Sequence, residues 1–331
     1  SGRIHAMGEV HDGDTVLDDD PREQKKGITI NSAATTVYWP GVTDEHLTRT
    51  GALHRINLID TPGHIDFTVE VERSLRVLDG AICILDGSQG VEPQTEQVWR
   101  QADRYNVARI IFINKMDKVG ASFQMSLDSI KDKLGVKAIP VQLPVGEEDK
   151  FSAVLDVVNL RMITFDGENF GKKMMVTDIP ADHWTEVNEA REKLIEALSD
   201  YDDDIMSKFI AGNMDISASQ LKKALRLATI QRGVYPVFCG SALKNKGVQL
   251  LLDGVLDYLP APSDMPALTE DPKQFAALAF KVVNDKNGDL TFLRIYSGSL
   301  TDGSKIFNST RQQEERVGRL VLMHASKQEP I

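Results

Sequence analysis

Cysteine is scarce: the 331 residues contain two, Cys83 and Cys239, each in or at the end of an apolar, strand-like run. Two such thiols exclude a disulfide framework and a zinc cluster, and they read as buried thiols of a reducing compartment. Long apolar runs are missing too, the longest being strand-sized, so no segment qualifies as a membrane-spanning helix. Positive charge is in deficit, with a formal net charge of −11. That argues against bulk adhesion to nucleic acid or membrane, though not against a local basic face. The opening SGRIHAMGEV has no start methionine, no signal-peptide apolar core and no Arg-rich leader. Nor does any terminating element precede Ile331, so the chain is expected to be the interior of a longer protein. Internal repeats and low-complexity tracts are absent.

What is present is a globular composition, 41% hydrophobic and 26% charged, in a chain long enough for two or three domains. Residues 1–148 alternate strand and helix signals. Thr29–Tyr38 is β-branched and aromatic, Ile56–Ile59 and Gly80–Leu85 are apolar, and Arg109–Ile113 (RIIFI) is a further buried-type strand. Helical spacing covers His64–Val77, Glu92–Tyr105 with Pro93 in its first turn, and Ser122–Leu134. Short apolar strands between helices predict an α/β fold with a doubly wound, mostly parallel sheet.

The texture then changes. Residues 149–232 read as an inserted α+β subdomain, with an acidic helical segment at Asp182–Ala211 and a helix at Ser217–Ile230. The acidic run DYDDD at 200–204 is expected to be a solvated helix face. Residues 233–264 return to the first pattern with a last strand and the amphipathic helix Val248–Leu259. A Pro-rich linker at 265–274 leads into residues 275–331, where alternating strands about an Asn287-Gly288 turn predict the opening of an antiparallel β-barrel.

Four junctions carry chemistry. The strand Arg109–Ile113 ends in Asn114-Lys115-Met116-Asp117, where parallel sheets bind ligands. Asp117 can accept two hydrogen bonds from an edge such as guanine N1 and N2. Adenine has no such donor pair and would leave the carboxylate unpaired. Asn114 can brace the loop and meet N7, and the aliphatic stem of Lys115 can lie over the ring. The run Gly240-Ser241-Ala242-Leu243, after the last strand, offers backbone N–H groups to a base carbonyl. Thr29, in Gly27-Ile28-Thr29-Ile30, can offer a hydroxyl to Mg²⁺. In Asp60-Thr61-Pro62-Gly63-His64, Asp60 is placed for the metal side of a bound nucleotide, Gly63 offers a bare N–H to a terminal phosphate, and His64 stands where a hydrolytic water needs orienting. Singly, each stretch has an ordinary explanation: turn chemistry at Pro62-Gly63, with Gly63 free to take a positive φ, or β-propensity at Thr29. Together, in this order, they predict a guanine-nucleotide pocket. The phosphate-cradling G-x-x-x-x-G-K-[ST] loop does not occur in the sequence, so the chain as it stands is expected to bind nucleotide poorly and to be inactive alone.

With these motifs the chain resembles the translational GTPases of the elongation factor G family. The stretches GEVHDGDTV, GITINSAATT, NLIDTPGHIDF, INKMDK and FCGSALKNKGVQLLLDGVLDYLPAPSD carry the likeness. DGDTV, VWRQADRYNV, NKMDKVGASF and LPVGE resemble the ribosome-recycling branch found in mitochondria. The resemblance implies a P-loop-type GTPase domain binding GTP or GDP with Mg²⁺. Thr29 and Asp60 would be on the metal side, Ile28 in an apolar gate about the water, and His64 would be catalytic. Gly63, Asn114, Lys115, Asp117, Ser241, Ala242 and Leu243 would contact nucleotide. The implied partners are the ribosome, through large-subunit RNA, the stalk protein and small-subunit RNA, and a ribosome recycling factor. Neither membrane nor DNA is implied, and a monomer is. The implied compartment is the mitochondrial matrix, a bacterial-type cytoplasm being the alternative. Two other readings stay open: a translocase moving tRNA and mRNA, and a ribosome-binding module that does not use nucleotide.

Overall fold

The computed structural model describes residues 29, 32–43, 47–63, 65–166, 174–265, 271, 273–285, 288–324 and 327–330. Ile28, His64, Asn287 and the middle of the Pro-rich stretch lie outside them. The described chain divides into two compact units, one built from 40–53 and 79–261, the other from the remaining segments.

The larger unit is organised by a parallel sheet of β3 (Gly80–Asp86), β4 (Ala108–Asn114), β10 (Tyr235–Cys239) and β5 (Ala138–Pro140), in that spatial order. Both faces of the sheet are covered at its centre, along β4 and β10, which is why β4 reads as a continuous apolar run. Ala108, Ile110, Phe112 and Phe238 share one core with Leu194, Leu225 and Leu251. Their alternating neighbours Ile111, Ile113, Val237 and Cys239 share the other with Trp99, Phe123 and Ile130. Each Ile or Phe so buried contributes roughly 1.5–3 kcal/mol relative to exposure, so this pair of cores dominates the stability of the unit.

The helices follow from local signals. The helix α2 (Pro93–Arg104) starts with proline in its first turn and a reciprocal Glu92–Thr95 cap. In α3 (Phe123–Leu134), Ser122 accepts from the Met125 N–H and Gly135 closes the far end at φ 64°. Buried Arg109 fastens α2 to the sheet. It donates to the Trp99 carbonyl (2.9 Å) and the Tyr235 hydroxyl (3.2 Å) and pairs with Asp103. Its guanidinium also lies 4.1 Å from the Trp99 ring centre.

The inserted segment adds β7 (Ala153–Asp156), β8 (Arg161–Phe165) and β9 (Met174–Thr177) to β6 (Gln142–Val145), which precedes its expected start, in an antiparallel sheet. Its helices are α4 (Trp184–Leu198), α5 (Asp203–Ile210) and α6 (Ala218–Ile230), and α7 (Val248–Tyr258) follows β10. The acidic stretch is not one continuous helix. It breaks at Asp202, whose extended backbone lets its carboxylate accept from the Asp204 and Ile205 N–H groups and start α5. Part of DYDDD is therefore a helix cap and not a solvated face, because aspartate competes for backbone donors more effectively than it supports a helix interior.

In the smaller unit, β1 (Ala33–Pro40) and β2 (Leu53–Asp60) form their own two-stranded sheet. The Thr36 hydroxyl donates to Asn57 across it (2.9 Å). Among the described residues β2 does not pair with the parallel sheet, contrary to the expectation for Ile56–Ile59. Its polar His54, Arg55 and Asn57 are exposed, which suits a ribbon wet on one side better than a strand buried on both. The helix α1 (Thr68–Leu75) follows, with Val71 and Leu75 buried. Antiparallel pairs β11 (Ala276–Asp285) with β12 (Gly288–Ser297), β13 (Lys305–Asn308) with β14 (Gln313–Arg316), and β15 (Val321–His324) with β16 (Lys327–Pro330) follow the linker. They agree with the predicted antiparallel second domain.

Candidate functional site

In the larger unit, register places Asp86 beside Asn114 and Ile113 beside Cys239. The loops after β3, β4 and β10 thus leave the sheet side by side at its carboxyl edge. They are laced together by backbone bonds. Gly87 N–H reaches the Asn114 carbonyl (2.8 Å), Gly240 N–H the Ile113 carbonyl (3.0 Å), and Met116 N–H the Gly240 carbonyl (3.0 Å). Met116 itself is fully buried and pins the NKMD turn to the core.

Within this frame the Asn114 Oδ1 accepts from the Ala242 N–H at 2.9 Å. That bond fixes the orientation of the amide, leaving its NH₂ as the outward donor. It also commits the Ala242 N–H to the protein. Lys115 adopts φ 61°, a left-handed conformation that non-glycine residues take only when the surroundings impose it. Its Nζ lies 2.9 Å from Asp86 Oδ2, and the Lys118 Nζ lies 3.1 Å from the same oxygen.

Asp117 is 13% exposed and pairs with Lys244, Nζ to Oδ2, at 3.0 Å. Burial alone pushes its carboxyl up, but hydrogen bonds from the Ser241 hydroxyl and Lys244, with the charge of Lys244, outweigh it. The net effect holds Asp117 below the usual carboxylate range and ionised at neutral pH. Buried Ser241 is fixed in turn by a two-bond bridge to Lys246 (both 2.9 Å). Gly240 is required here by crowding, since a Cβ would come within 2.3 Å of the Lys246 carbonyl oxygen.

Asp86 and Lys244 belong to this corner and were not among the residues singled out from sequence. The signal for Asp86 was available: Leu85-Asp86-Gly87 repeats the apolar-strand, aspartate, turn pattern of Ile59-Asp60-Thr61. Asp86 accepts from the Ser88 N–H (2.9 Å) and hydroxyl (2.7 Å) as well as from the two lysines.

The phosphate-side candidates belong to the smaller unit. Thr29 is half-buried, and Asp60 is the last residue of β2. Gly63 is exposed; its φ is outside the left-handed region and a Cβ would meet nothing within 4 Å among the described residues. The positive φ that ordinary turn chemistry would give it is not adopted, so local conformation does not account for the glycine. His64 and Ile28 fall outside the described residues. The oxygen donors of Thr29 and Asp60 are of the hard type that suits Mg²⁺.

The fold defines an α/β protein with this corner at the carboxyl edge of its parallel sheet. Residues 1–261 match the elongation factor Tu GTP binding domain family, and residues 274–331 match elongation factor G domain 2. The chain therefore belongs to the translational GTPase family. A crystal structure of a Thermus thermophilus protein superposes on all of this chain with a TM-score of 0.81 at 25% identity. The chain spans 46% of that protein's length.

Proposed function

We propose that the chain is the nucleotide-binding part of a ribosome-dependent GTPase that acts in ribosome recycling in mitochondria, splitting post-termination ribosomes together with a recycling factor. The single observation carrying the nucleotide half of this reading is the ionised, nearly buried Asp117 bonded to Ser241 beside the Asn114–Ala242 bond. Guanine presents N1–H and N2–H to such a carboxylate. A base without that donor pair leaves a buried acceptor unmatched, at a cost of roughly 1–3 kcal/mol. Asn114 donates its NH₂ to N7, and the stem of Lys115, drawn toward Asp86, lies along the ring. The recycling half is supported by the branch-like stretches DGDTV and VWRQADRYNV.

In the hydrolytic step, Gly63 N–H would meet the γ-phosphate and His64 would orient the attacking water. Thr29 and Asp60 would hold Mg²⁺, which when bound supplies charge stabilisation to the phosphates. Asp117→Asn in the full-length protein should lower GTP affinity at least tenfold and raise that for xanthosine triphosphate, whose ring offers an acceptor at the position of N2. Unchanged GTP affinity refutes the base assignment. Ribosome-stimulated GTP turnover with subunit splitting, lost in His64→Ala, tests the recycling role; efficient tRNA movement instead would favour the translocase.

A further inference from the structure

The Lys244 ammonium sits directly against the base-side carboxylate. Its Nζ lies 3.0 Å from Asp117 Oδ2, and its own N–H reaches the Ser241 hydroxyl oxygen at 3.4 Å. Ser241 donates to Asp117 in turn. One residue therefore touches Asp117 directly and steadies the hydroxyl that also touches it.

The other charges nearby are committed elsewhere. On the Asp117 loop, Lys115 and Lys118 both bind Asp86. On the Lys244 loop, Lys246 Nζ donates to the Phe151 carbonyl; burial and Lys244 disfavour its charge more than the field of Asp117 favours it. From the turn after β6, Glu148 accepts the Gly120 N–H at 2.7 Å. Lys244 is thus the cation paired with Asp117, and at 51% exposed it reaches the carboxylate from the solvent side.

A carboxylate offers about four lone-pair directions. Ser241, Lys244 and the residue's own backbone N–H draw on them, so the way the carboxylate is turned decides whether acceptor directions are left for the N1–H and N2–H of guanine. We propose that Lys244 is a specificity-determining positioning residue: it holds the Asp117 carboxylate turned so that its remaining acceptor directions meet the guanine edge. This rests on the guanine assignment above. Without the ammonium the carboxyl protonates more readily, and a protonated Asp117 presents a donor where guanine also presents donors. Since ionised Asp117 is the binding form, guanine binding is lost as pH falls through its titration. Removing Lys244 moves that loss to higher pH.

The experiment is a fluorescent GDP titration of the full-length protein from about pH 8 down to about pH 3, below the usual aspartate range, for wild type, Lys244→Met and Lys244→Arg. Methionine keeps most of the stem and removes the charge; if that variant unfolds early, Lys244→Gln replaces it. The charge-free variant is expected to bind about threefold more weakly at neutral pH, the range of a half-exposed ion pair. Its acid loss of binding should begin at higher pH, and arginine should restore both. An acid limb that superimposes on wild type, or an arginine variant that behaves like methionine, overturns the proposal while leaving the guanine assignment standing. Failure of the wild type to bind GDP at every pH overturns both.

Discussion

Gly240→Ala isolates the contribution of loop packing to the base site. The added Cβ would lie 2.3 Å from the Lys246 carbonyl oxygen and 2.8 Å from Phe112 Cζ. Neither neighbour yields easily: one is backbone and the other belongs to the core. The glycine is held on both sides, by its N–H to Ile113 and its carbonyl to Met116. Relief therefore comes from moving the Ser241–Lys246 segment and straining its two 2.9 Å bonds. Overpacking of this kind costs about 1–3 kcal/mol, and each weakened bond adds about 0.5–1.5 kcal/mol. The expected destabilisation is about 2–6 kcal/mol, read as a lower urea midpoint by tryptophan fluorescence. Because Ser241 and Ala242 shift with the segment, GDP affinity should fall at least tenfold at temperatures where the variant stays folded. A stability within about 0.5 kcal/mol of wild type, the range of an ordinary surface change, with unchanged affinity, would refute the packing argument.

Arg109→Leu should destabilise the larger unit by about 2–4 kcal/mol, since it removes donors to Trp99 and Tyr235 and the stacking between their rings; lysine should not rescue it, lacking the planar fork. A loss under about 1 kcal/mol in urea unfolding would count against that role. Burial pushes the Asp86 carboxyl up, but bonds from Ser88, Lys115 and Lys118 outweigh it and hold it below the usual carboxylate range. A group lowered on folding stabilises above its unfolded titration range and loses that contribution as pH falls toward its folded value. Asp86→Asn should therefore flatten the acid side of a Tm-versus-pH curve, and parallel curves for variant and wild type would rule the linkage out.

The parallel sheet was legible because β4 and β10 are apolar at nearly every position, a pattern that burial on both faces explains. The base-side motifs were legible for a related reason: each sits where a strand stops, and a polar residue there has little else to do. Long-range geometry was not legible. Nothing local distinguishes the apolar alternation of β2 from that of a sheet strand, and its pairing with β1 is decided by which residues it meets. DYDDD looked uniform by charge, whereas one member, Asp202, found backbone donors within reach and became a cap. The pairing of Lys244 with Asp117 joins residues far apart in sequence, which no periodicity reports.

The bonds from Gly240 to Ile113 and Met116 and from Ala242 to Asn114 have a consequence for biosynthesis. A ribosome making this chain completes β4 well before β10, with the whole inserted subdomain emerging between them. Until then the strand edge at Ile110–Ile113 has no partner on that side, and Asn114 has no amide to hold. This corner thus comes into being late and all at once, so a nascent chain stalled inside the insertion would present a sticky edge to chaperones and only half of the candidate site.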